Sequence, residues 1–296
     1  MTSATYSSRG LSEKLVTKSR RLGKWLRWHL NFSQGIKPRV LLIVGSQRSG
    51  TSLLNRILDR DLRTSVLSED NCLTGTSESR LRLKPFDEVN QHLAEFRTPL
   101  VVFKPLVESQ NTTNMLDNIA DSKALWMLRN YADVVNSDVN RFGSQVRNLK
   151  AVVDREPGNW RSEHVSDETR TTVSTHYSDD MSRYDAAALM WYVRNTLFFE
   201  AALDADPRVL LCRYEDLVAD PRRATASIYS FIGLDYPKRD IVAEVHADSF
   251  GLGRDVPLNA DIRDLCDELQ CRMQEACRSQ TSAGDLTVTE KARTTE

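Results

Sequence analysis

Short apolar runs separated by polar segments are the strongest pattern along this chain, and the first run is the clearest. Val40 to Val44 is a run of five aliphatic residues, with the length and branching typical of a strand buried on both faces of a parallel sheet. Gly45 ends the run, and apolar character resumes within the next ten residues. The pattern predicts a strand, a tight loop and then a helix over Ser52 to Asp59.

Further runs of this kind predict four more strands that alternate with helices. The longest helical stretch, Tyr184 to Ala205, has apolar residues spaced for one buried face, and a helix over Arg223 to Ile232 should end at Gly233. This alternation indicates an α/β fold with a parallel sheet flanked by helices. The four strands are predicted at Thr64 to Leu67, Pro99 to Phe103, Ala124 to Leu128 and Val209 to Cys212.

The two ends of the chain differ from its central part, which we assign as one domain over residues 36–278. Residues 1–35 are basic, and from Leu11 to Phe32 apolar and cationic residues are interspersed in an amphipathic helical pattern. Such a helix can lie on an anionic membrane surface or pack on the domain with a solvated basic face, and we favour packing. A helix is expected from Ala260 to about Cys277, and the polar, aperiodic residues 279–296 are predicted to be disordered.

Composition restricts the class of protein. The 296 residues carry a net charge of −1, with 27% charged and 40% hydrophobic residues, which is ordinary for a globular enzyme and gives no reason to expect nucleic-acid binding. The five cysteines form no C-x-x-C pair and have no histidine at ligand spacing, so we expect free thiols and no metal site. No apolar run is long enough to span a membrane and no signal peptide is recognisable, which predicts a cytoplasmic location.

The segment after the first strand has the outline of a nucleotide phosphate loop. Its spacing is Gly45-x4-Gly50-Thr51-Ser52, and such a loop points backbone N–H groups at an anion on a helix N-terminus. Thr51 replaces the lysine that phosphate-loop kinases and ATPases carry, and the cation is instead Arg48, two residues before Gly50. The alternative is an ordinary loop with a spare arginine.

The stretch SQRSGTSLL, residues 46–54, resembles the 5′-phosphosulfate loop of sulfotransferases, which use 3′-phosphoadenosine 5′-phosphosulfate (PAPS) as the sulfuryl donor. Its arginine form is similar to the Golgi protein-tyrosine and carbohydrate branch and to many bacterial members, whereas the cytosolic branch has lysine there. The resemblance implies a sulfotransferase-like three-layer fold. It also implies that PAPS is bound by Gln47, Arg48, Ser49, Gly50, Thr51 and Ser52.

Charged residues follow the next two predicted strands, at the sheet edge where parallel sheets bind ligands. Glu69 lies where the tyrosine-sulfating branch has its catalytic glutamate, so the resemblance implies that Glu69 is the general base. Asp70 is the second candidate for this role. The alternative for Glu69 is a solvated carboxylate in a turn, without a catalytic role. Lys104 ends the third strand and can reach a bridging sulfate oxygen. Leu106 stands where the cytosolic branch has its histidine base, so the general base is expected to be Glu69 instead.

Residues expected to bind the nucleotide follow the fourth and fifth strands. Arg129 and Ser137 suit a phosphate monoester and resemble the second family signature, which binds the 3′-phosphate. Tyr214 lies in RYEDLVADP, which resembles the third signature, and can stack on or hydrogen-bond to the nucleotide. Arg254 in FGLGR resembles a basic segment with which related bacterial chains close the site, although this stretch can equally form a plain turn.

The predicted chemistry is in-line transfer of a sulfuryl group from PAPS to an acceptor hydroxyl, with Glu69 taking the proton and Arg48 and Lys104 stabilising the departing phosphate. No metal is expected, because a sulfuryl group carries less negative charge than a phosphoryl group. A kinase or nucleotide hydrolase without the loop lysine, and a non-catalytic nucleotide-binding protein, are the alternatives. The sequence indicates no acceptor class and no oligomeric state; residues 71–97 and 142–183 are expected to form the acceptor pocket.

Overall fold

The computed structural model describes residues 23–24, 37–75, 81–243, 245 and 256–293, with side chains described up to residue 280. The strands are β1 (Arg39–Gly45), β2 (Thr64–Val66), β3 (Leu100–Phe103), β4 (Ser122–Leu128) and β5 (Val209–Arg213). They pair in parallel to form one sheet with the spatial order β2-β3-β1-β4-β5. All of the predicted strands are therefore present, with ends shifted by at most two residues.

Helices connect these strands, and several of them begin at the carboxyl edge of the sheet. A helix follows β1 after a short loop, and others begin within three residues of the ends of β4 and β5. A 3-10 helix covers Leu106–Asn111 just after β3. The α-helices are α1 (Thr51–Asp59), α2 (Phe86–Ala94), α3 (Thr112–Asn118), α4 (Tyr131–Phe142), α5 (Val146–Val153), α6 (Asp167–His176), α7 (Arg183–Glu200), α8 (Tyr214–Ala219), α9 (Pro221–Ile232) and α10 (Ala260–Arg293).

The central strand β1 contributes to a separate hydrophobic core on each face of the sheet. Its even-numbered residues Val40, Leu42 and Val44 belong to one core, and Leu41 and Ile43 belong to the other. All of them are at most 3% exposed. Burial on both faces explains why this strand is an unbroken aliphatic run rather than an alternation of apolar and polar residues.

Helices cover both faces, so the chain forms three layers. On one face α4, α7 and α10 enclose Trp126 of β4, whose ring centroid lies 5.5 Å from that of Phe198. On the other face α1 and α9 contribute Leu54, Leu58 and Ile228. This arrangement confirms the predicted α/β fold, a parallel sheet flanked by helices.

Two segments contain helices that the sequence analysis missed. Helix α2 lies within residues 73–97, and its first turn carries Asp87 and Glu88, whose charges favour a helix N-terminus. Helix α6 lies within residues 142–183 and is capped by the Ser166 hydroxyl, which accepts a hydrogen bond from the Thr169 N–H. Helix α2 is only nine residues long, and helix α6 is polar with weak hydrophobic periodicity, so neither was recognised from the sequence.

The last helix requires a correction. Its end was expected near Cys277 and disorder was predicted from residue 279, but helical backbone continues to Arg293. No proline interrupts residues 279–293, and Ala283, Leu286 and Lys291 are good helix formers. Extending a helix that is already formed also avoids the cost of nucleating a new one.

The basic amphipathic segment 11–32 lies outside the described residues except for Gly23 and Lys24, which are helical. The Lys24 ammonium group lies 3.0 Å from the Asp59 carboxylate at the end of α1, and both side chains are largely buried. This contact supports packing of Lys24 on the domain, while membrane-surface contact stays a prediction. None of the helices in the described ranges is long and apolar enough to cross a membrane.

A buried polar cluster holds α9 to the loop that follows α1. The Tyr229 hydroxyl donates to Asp61 Oδ2 at 2.8 Å, and the Arg63 guanidinium donates to both oxygens of the same carboxylate. Burial raises the pKa of Asp61, but the hydrogen bonds from Arg63 and Tyr229 outweigh it, so the pKa lies below its ordinary value. The cluster therefore stabilises the fold above the unfolded-state pKa of Asp, about 3.9, and this stabilisation is lost as the pH falls through the lower folded-state pKa.

We expect Tyr229→Phe to lower the free energy of unfolding by about 1 kcal/mol or more at pH 7, because a buried carboxylate loses a donor. Urea denaturation measures this change. Tyr236→Phe is the matched control: the Tyr236 ring packs edge-on against Tyr229, yet its buried hydroxyl has no hydrogen-bond partner among the described residues. Its removal should be neutral or stabilising, and equal losses for the two variants would contradict the prediction.

Candidate active site

The loop between β1 and α1 passes so close to its neighbours that two of its positions require glycine. A Cβ on Gly45 would lie 2.8 Å from the carbonyl oxygen of Met127 in β4, and one on Gly50 would lie 2.2 Å from the Tyr214 ring. Both glycines have positive φ, at 112° and 87°, and Arg48 between them has a φ of 68°. The loop is thus a tight turn fitted between β4 and the start of α8.

A serine from outside the loop fixes its first residue. The Ser109 hydroxyl accepts a hydrogen bond from the Gly45 N–H at 3.0 Å, and its single proton lies between the Leu106 carbonyl at 3.0 Å and the Gly45 carbonyl at 3.2 Å. Ser109 lies in the 3-10 helix that follows β3, and it is buried. Ser109 could not be identified from the sequence, because a serine in a polar stretch carries no signal of a contact 64 residues away.

The loop ends on a helix N-terminus that suits an anion. Gly50 is the N-cap of α1, so no side chain caps the helix, and the first turn contains no acidic residue. The Ser49 hydroxyl is fully buried and has no hydrogen-bond partner among the described residues. Open backbone N–H groups, the helix dipole and an unsatisfied hydroxyl together fit a phosphate or sulfate group.

Glu69 and Lys104 meet at one side of this loop. Strands β2 and β3 are adjacent, so the residues just after their ends lie together at the carboxyl edge of the sheet. The Lys104 ammonium lies 2.6 Å from Glu69 Oε1 and donates a hydrogen bond to the Ser52 hydroxyl at 3.1 Å. Lys104 is 9% exposed and Glu69 is 40% exposed, so the cation is enclosed while the carboxylate can reach solvent. Asp70, the fallback base, is more exposed than Glu69.

Arg48 and Ser137 meet on the other side of the loop, next to Arg129. The Arg48 Nε donates to the Ser137 hydroxyl at 2.9 Å, and an Arg129 N–H group lies 3.4 Å from the Arg48 carbonyl. The Arg129 guanidinium carbon lies 4.4 Å from the centroid of the Tyr214 ring, which itself contacts Gly50. Residues from the loop after β1, the end of β4, α4 and α8 are thereby brought to one place, Arg129 being the residue that directly follows β4.

Further contacts, not identified from the sequence as site features, hold the end of β4 in position. The Asn130 side chain caps α4 by accepting hydrogen bonds from the Ala132 and Asp133 N–H groups. The Asn130 N–H in turn donates to the Glu215 carboxylate at 2.8 Å, which ties the turn after β4 to α8. The role of Glu215 is therefore structural.

The structure places most, but not all, of the predicted site residues around the loop. Gln47 is partly buried in the loop, Thr51 is buried at the start of α1, and Ser52 is exposed apart from its contact with Lys104. Arg254 lies outside the described residues, so its predicted role stays a prediction. In the described part of the chain, no group of three or more His, Cys, Asp or Glu residues is arranged to hold a metal ion.

Comparisons with known proteins agree with this geometry at the level of the family. A family model described as the sulfotransferase domain matches residues 38–263. Among curated proteins, none matches the sequence significantly.

Solved structures of sulfotransferases are among those similar to this chain. The sulfotransferase domain from the curacin biosynthetic pathway has 16% identity and a TM-score of 0.49, over 79% of this chain and 98% of that one. A sulfotransferase from Alicyclobacillus acidocaldarius has 19% identity and a TM-score of 0.46, over 82% and 94%. Mouse sulfotransferase SULT7A1, complexed with PAP, has 14% identity and a TM-score of 0.38, over 79% and 65%.

The match to the family model includes every strand of the sheet and the loop between β1 and α1. It also includes Glu69, Lys104, Arg129, Ser137 and Tyr214. Because the model covers well over half of the chain, the chain belongs to the sulfotransferase domain family, as its sequence predicted.

Proposed function

We propose that this protein transfers the sulfuryl group of PAPS to a hydroxyl group of an acceptor. Membership of the family assigns sulfuryl transfer in general; the donor, the mechanism and the roles of individual residues are the proposal. The observation that carries it is the convergence of Lys104 and Arg48 on opposite sides of one anion-binding loop, each hydrogen-bonded to a serine hydroxyl.

The arrangement of donors matches a ligand with two separate anionic groups. The loop N–H groups, Ser49 and Lys104 would hold the 5′-phosphosulfate at the N-terminus of α1. Arg129 and Ser137, on the side toward β4, would hold the 3′-phosphate. A ligand with only a 5′-phosphate chain would leave the second group of donors unused, so the geometry favours PAPS over ATP.

The proposed reaction is a single displacement at sulfur. The acceptor oxygen forms a bond to sulfur, its proton passes to the Glu69 carboxylate, and the bond between sulfur and the bridging phosphate oxygen breaks. The nucleotide leaves as 3′-phosphoadenosine 5′-phosphate (PAP), and Lys104 and Arg48 stabilise the charge that grows on its phosphate. Positioning and fixed charges supply the catalysis, as in phosphoryl transfer.

Lys104 links the base to the leaving group. Its ammonium group has three N–H donors, and the structure uses two of them on Glu69 and Ser52. No described residue accepts from the third, and we assign it to a bridging oxygen of the donor. The same contact orients the Glu69 carboxylate toward the loop, where the acceptor hydroxyl must approach the sulfur atom.

Several predictions made from the sequence remain part of this proposal. The acceptor is a hydroxyl compound whose pocket involves residues 71–97 and 142–183, and nucleic acid is not expected as a partner. A cytoplasmic location, weak membrane-surface contact through residues 11–32 and the absence of a metal requirement are likewise predictions. A nucleotide kinase or hydrolase is the competing function that the first experiment separates.

We expect PAP to raise the melting temperature of the protein more than ATP does at equal concentration, because only PAP carries a 3′-phosphate for Arg129 and Ser137. Thermal unfolding followed by fluorescence, without added metal, measures both shifts. Equal or greater stabilisation by ATP, particularly with magnesium present, would contradict the sulfotransferase proposal and favour a kinase.

We expect Ser137→Ala to weaken PAP binding about tenfold, because a hydrogen bond to a charged phosphate is lost. Binding of adenosine 5′-phosphate, which has no 3′-phosphate, serves as the internal control and should change little. Calorimetric titration of both nucleotides gives the comparison. A parallel loss for the two ligands would mean that Ser137 does not face the 3′-phosphate.

We expect Glu69→Gln to keep PAP binding but to lower kcat for sulfuryl transfer by a factor of about 100 or more, because the amide cannot accept the proton. The rate is measured with PAPS and an acceptor that the unaltered enzyme sulfates. Asp70→Asn, next in the chain, is the matched control and should retain activity. An active Glu69→Gln together with an inactive Asp70→Asn would show that Asp70 is the base.

A further inference from the structure

The segment between α5 and α6 carries an aromatic residue and an arginine toward the candidate active site. Trp160 and Arg161 lie in this connection, and both are partly exposed. The nearby Glu163 carboxylate accepts hydrogen bonds from Arg82 at 2.9 and 3.0 Å and from the Gln110 amide at 2.9 Å. These bonds attach the connection to the 3-10 helix after Lys104, so its position relative to the sheet edge is defined.

Two guanidinium groups contact the Trp160 ring. The Arg161 and Arg194 guanidinium carbons lie 4.3 and 4.9 Å from its centroid. Arg194 is buried in α7 and hydrogen-bonds to the Leu106 carbonyl and the Gln110 side chain, each at 3.3 Å. Arg194 thus links the Trp160 ring to the Leu106 carbonyl, which is only two residues beyond Lys104.

Arg161 also interacts with α4, the helix that carries Ser137. The carboxylate of Asp138, adjacent to Ser137 in α4, interacts electrostatically with both Arg161 and Arg48. Asp138 is buried, and its Oδ1 accepts a hydrogen bond from the Gln145 amide at 2.7 Å. Arg161 thus lies within electrostatic range of the helix that carries Ser137.

The Arg161 guanidinium forms no hydrogen bond and no ion pair with any described residue, although it is half-buried. Burial lowers its pKa, and the charges of Asp138 and Glu156 only partly offset this effect. By contrast, Arg82, in a comparable degree of burial, has its guanidinium paired with two carboxylates. A stacked guanidinium with its N–H groups uncommitted is suited to bind an anionic oxygen group.

We propose that the acceptor carries an anionic group, a carboxylate or a phosphate or sulfate ester, which Arg161 binds while the acceptor hydroxyl faces Glu69. This inference rests on the proposed function, since it assigns the chemistry of the acceptor pocket beside the PAPS site. Trp160 holds the Arg161 side chain on its face, and the contacts of Glu163 hold the segment in place. Neutral alcohols would then be weaker ligands than hydroxylated acids of the same size.

The test uses the full chain saturated with PAP, so that the phosphate loop is filled before the acceptor pocket is probed. Calorimetry compares 4-hydroxyphenylacetate with 4-hydroxyphenylacetamide, a neutral probe of nearly the same shape. We expect the carboxylate to bind about tenfold more tightly or better, and Arg161→Gln to abolish that preference. Arg161→Lys should keep part of it, and Arg147→Gln, an exposed arginine in α5, should keep all of it.

Four results would overturn the inference. The first two are equal affinity of the two probes and no binding of either probe. The third is a preference that survives in Arg161→Gln, and the fourth is a loss of PAP affinity in Arg161→Gln, which would place Arg161 in the nucleotide site. If PAP itself fails to bind, the proposed function is contradicted instead. The same titration on the free chain then decides separately whether Arg161 binds an anion.

Discussion

The loop between β1 and α1 depends on contacts that leave no room for a side chain. Gly45 touches the backbone of β4, and Gly50 touches the Tyr214 ring. Because β1 is the central strand, between β3 and β4, its loop lies where the carboxyl ends of both neighbours converge. Lys104 therefore reaches it from one side and Arg129 from the other. The close packing of this loop thus determines where the charged residues that follow three strands meet.

An enclosed cation such as Lys104 needs partners, since an isolated buried charge costs several kcal/mol. Lys104 is held by Glu69 and Ser52, and Arg48 is held by Ser137. These are hydroxyl and carboxylate oxygens, the same kind of acceptor that a phosphate or sulfate presents. In the proposed reaction, the donor nucleotide would supply such oxygens to cations that the fold has already positioned, so little reorganisation is required.

The side of the site at which we propose that the acceptor binds is organised by a different interaction. Arg82 pairs with Glu108 at 2.7 Å and with Glu163 at 2.9 Å, and Gln110 binds the second oxygen of Glu163. This network joins the chain before α2, the 3-10 helix after Lys104, and the connection between α5 and α6. It is partly buried, so its bonds are less screened than those of surface pairs. The connection between α5 and α6 thereby has a defined position, although it is not a regular element. Arg161, which lies in this connection, is positioned with it.

The sequence by itself determined the strands, the glycine-bounded loop between β1 and α1, and the position of Glu69 and Lys104 just after two strands. Local rules suffice there, because a doubly buried strand needs an aliphatic run and residues after parallel strands return to one edge. Only the tertiary structure decided that Ser109 fixes the loop and that the guanidinium of Arg161 stacks on Trp160 within a segment that Glu163 anchors. The anchoring contact of Glu163 joins residues 81 positions apart, and that of Ser109 joins residues 64 apart. Partners so distant in the chain leave no local pattern, since only packing of the complete fold brings them together.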